Sequence, residues 1–98
     1  MNYEFLPEAQ AELKQAVAYY DQCGLGLGDE FTNEVEAAIH RILNQPEAWS
    51  AYHHNTRRCL TRRFPYGVVY QTRANLLLIV AIAHLRREPG AWGERLKR

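Results

Sequence analysis

One uninterrupted apolar run limits what this chain can fold into more than any other stretch. The run covers residues 76–83 and contains only Leu, Ile, Val and Ala. A strand without a polar position is normally buried on both of its faces. We therefore expect a sheet that is covered on both sides. The run is also too short to cross a bilayer, so it predicts no membrane segment.

The residues before this run predict one strand and two helices. We expect the strand over residues 2–6 and the helices over 8–22 and 30–44, because apolar side chains recur there at helical spacing. Glu8 and Glu12 complement the dipole at the start of the first helix, and Asp29 is expected to cap the second. The glycine-rich link between the helices predicts an antiparallel hairpin.

The second half predicts three more strands, over residues 57–64, 66–72 and 76–84, after a loop over 46–55. In that loop we expect Trp49 and Tyr52 to pack on the helix hairpin. The elements together predict one α+β domain over residues 1–98. Because the hairpin can cover only one face of the sheet, the other face indicates an obligate partner. The alternative is that Trp92 and Leu96, on a short terminal helix, fold back over it.

Charge is divided sharply between the two halves of the chain. Residues 1–49 contain nine acids and two bases, a balance of −7, whereas residues 50–98 contain ten bases and two acids, a balance of +8. Nine of those ten bases are arginine, whose planar fork suits phosphate and carboxylate. This polarity predicts a polyanion or an acidic protein segment as partner, unless the two halves pair with each other.

Several of these arginines are expected to meet at one end of the sheet. In a meander, Arg62 and Arg63 would lie near His84, Arg86 and Arg87. A ribonuclease could use His84 for proton transfer, and Arg86 with Arg63 to stabilise charge on phosphorus. Other side chains are candidates for contact with a partner or RNA: Arg58, Arg62, Tyr66, Tyr70, Arg87 and Trp92. The alternative is that these arginines are solvated or paired and that His84 is structural.

Nothing in the sequence predicts a cofactor or a metal. Cys23 and Cys59 lack the spacing of metal ligands, and the adjacent His53 and His54 cannot easily share an ion. No signal peptide is apparent at the start of the sequence, where a basic segment is missing. We therefore expect free thiols in a reducing cytoplasm.

Four runs, taken in order, resemble the RelE/ParE superfamily of bacterial type II toxins, and its ParE-like, plasmid-stabilisation branch most. They are FLPEAQAEL at residues 5–13, LGDEF at 27–31, RRFPY at 62–66 and AIAHLRREPGAW at 81–92. The resemblance covers nearly the whole chain. It implies a β-α-α-β-β-β fold, with the helix hairpin on one face of a small, mostly antiparallel sheet. It also implies a cognate antitoxin that neutralises the toxin in a hetero-oligomer.

The resemblance leaves the target open between two mechanisms. ParE-like toxins inhibit DNA gyrase and are not enzymes, whereas RelE-like toxins cleave mRNA on the ribosome. RelE-like nucleases tend to carry an arginine where this chain has Gly67 and a tyrosine where it has Trp92, although Arg86 matches a second functional arginine. These departures favour inhibition of gyrase. A ribosome-dependent endoribonuclease and a degenerate, toxin-like binding protein stay open as alternatives.

Overall fold

The computed structural model describes residues 1–88 and 92–97. Within them the chain forms five strands and three helices: β1 (Asn2–Phe5), α1 (Pro7–Cys23), α2 (Leu27–Asn44), β2 (Ser50–Tyr52), β3 (Thr56–Leu60), β4 (Tyr66–Arg73), β5 (Leu76–His84) and α3 (Trp92–Leu96). The sheet order is β1-β5-β4-β3-β2, and only β1 with β5 is a parallel pair. The predicted α+β architecture with a mostly antiparallel sheet is confirmed.

The apolar run forms β5, which is buried on both faces. On one face Leu77, Ile79 and Ile82 join the core formed with α1 and α2. On the other face Leu78 and Val80 belong to a second cluster that is closed by Trp92 of α3. The interpretation of this face as a partner surface was therefore wrong, and the alternative of a terminal helix that folds back was correct.

A β-bulge separates the two halves of β5. Tyr70 of β4 faces Ile79, but Val69 faces Ala81, so that Val80 has no partner in β4. The extra residue interrupts strict alternation, and Val80 and Ala81 both enter the second cluster. The parallel pairing with β1 also ends opposite Ile79, just before the bulge.

Two of the predicted boundaries were wrong. The strand expected to reach residue 64 ends at Leu60, because Phe64 adopts φ +71° and the Thr61 hydroxyl donates to the carbonyl oxygen of Phe64 over 2.9 Å. The expected loop over residues 46–55 contains β2, which pairs with β3. Tyr52 of β2 packs on Trp92 and not on the helix hairpin, whereas Trp49 packs against the core formed with the helices.

The start of α2 also differs from the expectation. Asp29 does not cap the helix, which begins at Leu27, three residues before the predicted start, after Gly26 with φ +78°. The Asp21 carboxylate on α1 accepts instead a 3.0 Å hydrogen bond from the Gly28 amide in the first turn of α2. A tertiary contact thus supplies the negative charge that helix N-termini favour.

Candidate partner-binding and catalytic site

Two loops come together at one end of the sheet. Tyr66 at the start of β4 faces His84 at the end of β5, and the Leu85 amide donates to the Pro65 carbonyl oxygen over 2.9 Å. The loop before β4 carries Arg62 and Arg63, and the turn after β5 carries Arg86 and Arg87. The structure therefore places all four arginines and His84 at the same sheet end.

The four arginines differ in their partners. Arg63 forms a 2.7 Å ion pair with Glu30 of α2, and Arg87 forms one of 3.3 Å with Glu12 of α1. The side chains of Arg62 and Arg86 are exposed and form no ion pair or hydrogen bond with the described residues. Internal pairing thus occupies half of the cluster, and Arg62 and Arg86 remain for an external ligand.

The geometry around His84 favours a structural role. Its ring packs edge-on against Tyr66 with centroids 5.3 Å apart, and its Nδ1 accepts a 3.1 Å hydrogen bond from the Arg86 amide. Neutral His84 must therefore carry its proton on Nε2. In that tautomer the ring has no free lone pair with which to accept a proton from a substrate.

Two of the aromatic candidates lie in the core. Tyr70 and Trp92 are each 1% exposed, so the prediction that their rings contact RNA or a partner was wrong. Burial raises the pKa of Tyr70 to about 12, and its hydroxyl donates to the Pro46 carbonyl oxygen over 2.5 Å. Tyr66 is half-buried against Phe31, with centroids 4.8 Å apart, and keeps part of its surface open.

Arg58 lies across the second face of the sheet and closes the space above Gly67. Its guanidinium stacks over Tyr52 at 4.3 Å and donates to the Tyr52 hydroxyl over 3.2 Å. A Cβ atom on Gly67 would stand 2.9 Å from both Cγ and Cδ of Arg58, and 3.4 Å from Leu60. A side chain at position 67 would therefore have to displace the Arg58 stem.

Comparison with known proteins settles the family. A protein-family model described as "ParE toxin of type II toxin-antitoxin system, parDE" matches residues 3–89. The chain belongs to the ParE toxin family. A solved structure from the chromosomal ParDE toxin–antitoxin system of P. aeruginosa is similar, with a TM-score of 0.63 over 86% of this chain and 95% of that chain. At 13% identity it shows the fold alone. No curated protein sequence matches this chain significantly.

Filling the space above Gly67 of this ParE-family chain is expected to destabilise it. Gly67→Ala should lower the free energy of unfolding by about 1–2 kcal/mol, because the new methyl group displaces the Arg58 stem. Urea denaturation measures the loss. In an Arg58→Ala background the same substitution should cost much less. An equal cost in both backgrounds would show that Arg58 does not limit the space.

The sequence did not predict the central role of Glu12. Its carboxylate accepts hydrogen bonds from the Ile82 amide over 3.1 Å and from both terminal nitrogens of Arg95 over 3.0 and 2.8 Å. Arg95 also donates to the Val80 carbonyl oxygen over 2.9 Å. These side chains complete the edge of β5 where β1 has ended, just after the bulge. The partners lie 70 and 83 residues from Glu12, so no local pattern indicates them.

The described part of the ParE-family chain contains no group of three or more His, Cys, Asp and Glu side chains placed to hold a metal. Both cysteines are free, and burial raises the pKa of the Cys59 thiol, which keeps it protonated and unreactive. Among the described helices none is long and apolar enough to cross a membrane.

Proposed function

We propose that this ParE-family chain is a cytoplasmic toxin that inhibits growth by binding DNA gyrase when it is free of a cognate antitoxin. The observation that carries this choice is the closed space above Gly67. RelE-like nucleases tend to place an arginine there, and here a side chain at position 67 would have to displace the Arg58 stem. Removing one group that stabilises transition-state charge typically costs about 10²–10³ in rate.

The remaining surface suits a protein target better than catalysis on RNA. We define the arginine end as Arg62 and Arg86 together with Leu60 and Leu85, two exposed apolar side chains on the same loops and strand end. Arginine beside exposed leucine is a composition typical of protein interfaces. His84, with Nδ1 already bonded, adds no general base to this surface.

Inhibition of gyrase tests the proposal directly. Purified toxin should inhibit supercoiling of relaxed plasmid, and an Arg62→Ala, Arg86→Ala double variant should need at least about tenfold more protein for the same effect, as for the loss of interface arginines. Arg73→Ala, at the opposite end of β4, is the matched control and should retain inhibition. Unaltered supercoiling at high toxin concentration would refute the proposal.

An endoribonuclease remains the second candidate, because Arg62 and Arg86 are exposed and without an ion pair to any described residue. Primer extension on translated mRNA distinguishes it. Codon-spaced cuts that disappear in Arg86→Ala would establish cleavage and displace the gyrase mechanism. Normal growth after induction of the chain alone would instead indicate a degenerate protein that only binds its partner.

The antitoxin is expected to be acidic and to cover the arginine end. Trp92 of α3 already closes the second face of the sheet, so that face is not the contact first expected. The complex should survive purification in roughly 0.5–1 M salt if leucine contacts contribute, since salt at that level screens exposed charges. Dissociation in that range would mean that charge alone holds the pair.

A further inference from the structure

A small polar cleft lies beside the arginine end, between α1 and the sheet. Its volume is about 100 Å³. Gln15 and Tyr19 line it from α1, Tyr66 and Ile82 line it from the sheet, and Arg87 stands at the turn after β5. The Glu12 carboxylate forms part of the wall. The gyrase proposal assigns no role to this cleft.

The lining of the cleft includes one cation, Arg87, and one anion, Glu12. Two guanidinium groups share the Glu12 carboxylate: Arg95 binds both of its oxygens, whereas Arg87 reaches one oxygen over 3.3 Å. The side chains of Glu12 and Arg95 are 10% and 13% exposed, and that of Arg87 is 57% exposed. Because Arg95 already neutralises Glu12 through a two-pronged contact, Arg87 can turn to another anion without leaving a buried charge unpaired.

The other polar groups of the cleft can donate to an anion. Burial raises the pKa of Tyr66, although the nearby charge of Arg87 opposes the rise, so the phenol stays protonated near pH 7. A hydrogen bond with Cys23 raises the pKa of Tyr19, which is neutral there as well. Tyr66, Gln15 and Arg87, which all carry donor groups, therefore line one space, whereas the Tyr19 hydroxyl is engaged with Cys23.

The balance of charge favours a carboxylate over a phosphate. A singly charged carboxylate meets less repulsion from Glu12 than a dianionic phosphate does. The cleft is small, and Ala16 and Ile82 provide apolar walls for a short methylene stem. We propose that this cleft binds the carboxylate of an acidic side chain from a protein partner, with Arg87 and the Tyr66 hydroxyl as donors. If the partner is the antitoxin, this contact rests on the proposed function, and the carboxylate is one acidic anchor of the antitoxin on this chain.

Titration of the isolated chain with a minimal probe tests the cleft without any partner. The probe is N-acetyl-glutamic acid α-amide, which has one free side-chain carboxylate, and N-acetyl-glutamine amide is its neutral control. At constant ionic strength the acid should produce saturable NMR shifts at the Arg87 Nε–H group and the Tyr66 ring. The neutral control should produce neither shift.

Adjacent arginines provide the matched variants. Arg87→Gln should weaken binding of the acid about tenfold or more, which is the effect of losing one charge-assisted hydrogen bond. Arg86→Gln should change the affinity by no more than about twofold. Tyr66→Phe should weaken binding of the acid less than Arg87→Gln does. An unchanged thermal unfolding temperature shows that each variant is folded. Inorganic phosphate at the same ionic strength should bind more weakly than the acid.

Three results would overturn the inference: no shift with the acid, equal weakening by the two arginine variants, or tighter binding of phosphate. Failure of the gyrase assay would not affect this experiment, since the probe needs neither gyrase nor antitoxin. Conversely, an absence of probe binding in the cleft would not affect the supercoiling result. The two proposals can therefore fail separately.

Discussion

Glu12→Ala is expected to lower the free energy of unfolding by about 3–4 kcal/mol, measured by urea denaturation. Loss of one member of a buried ion pair leaves the other member desolvated without its counter-charge, and this is among the costliest single changes. Glu12 and Arg95 are both largely buried, and their contact uses both carboxylate oxygens. The same substitution also removes the acceptor of the Ile82 amide at the open edge of β5.

Glu30→Ala is the matched control for this prediction. It removes the 2.7 Å ion pair between Glu30 and Arg63, which is similar in length, but the side chains of both residues are about half exposed. Water replaces such a contact, so stability should change little. A second variant, Glu12→Leu with Arg95→Met, should recover part of the loss, because two apolar side chains leave no unpaired charge. Equal effects of Glu12→Ala and Glu30→Ala would contradict a central role for Glu12.

Trp92→Ala is expected to lower the free energy of unfolding by about 3–5 kcal/mol, which is the range for removing a large buried aromatic side chain. Trp92 is the largest fully buried side chain of the described residues and packs on Tyr52 with centroids 5.3 Å apart. It is also the main residue with which α3 closes the second face over Leu78 and Val80. Its loss should expose that face, and we expect increased binding of a hydrophobic dye.

Two measurements separate a core role from a contact role for Trp92. Tyr19→Ala, at an exposed aromatic of α1, should change stability little. Trp92→Phe should retain much of the stability, because most of the buried apolar area is kept. If Trp92→Ala left unfolding unchanged and weakened only the antitoxin complex, the side chain would be a partner contact and its burial in the free chain would not matter.

Periodicity explains which parts of the fold the sequence could predict. The helical spacing of α1 and α2 and the continuous apolar run of β5 are local patterns, and all three elements formed, although α2 begins three residues before its predicted start. Phe64 shows where such patterns fail: a β-prone aromatic residue predicts a longer β3, but the turn stabilised by Thr61 imposes a positive φ. Ser50–Tyr52 is too short to give a pattern and becomes a strand only because β3 lies beside it.

The candidate site shows the same division. The alternation of side chains and the expected strand order were sufficient to predict which residues lie at one end of the sheet: Arg62, Arg63, His84, Arg86 and Arg87. They could not tell which arginines would find acids, because Glu12 and Glu30 reach them from helices that are distant in sequence. Nor could they show that Tyr70 and Trp92 are core residues, since an aromatic side chain suits a surface and a core equally.

The sequence by itself determined that a doubly buried strand would need cover on both faces, that two amphipathic helices would form, and that the basic residues would gather in the second half. Only the tertiary structure decided what supplies the second cover, which arginines form ion pairs with the described acidic residues, and that Arg58 occupies the space above Gly67. The physical reason is distance along the chain. Local spacing determines which side chains share a face, whereas charge pairing and close packing depend on residues that meet only when the chain has folded.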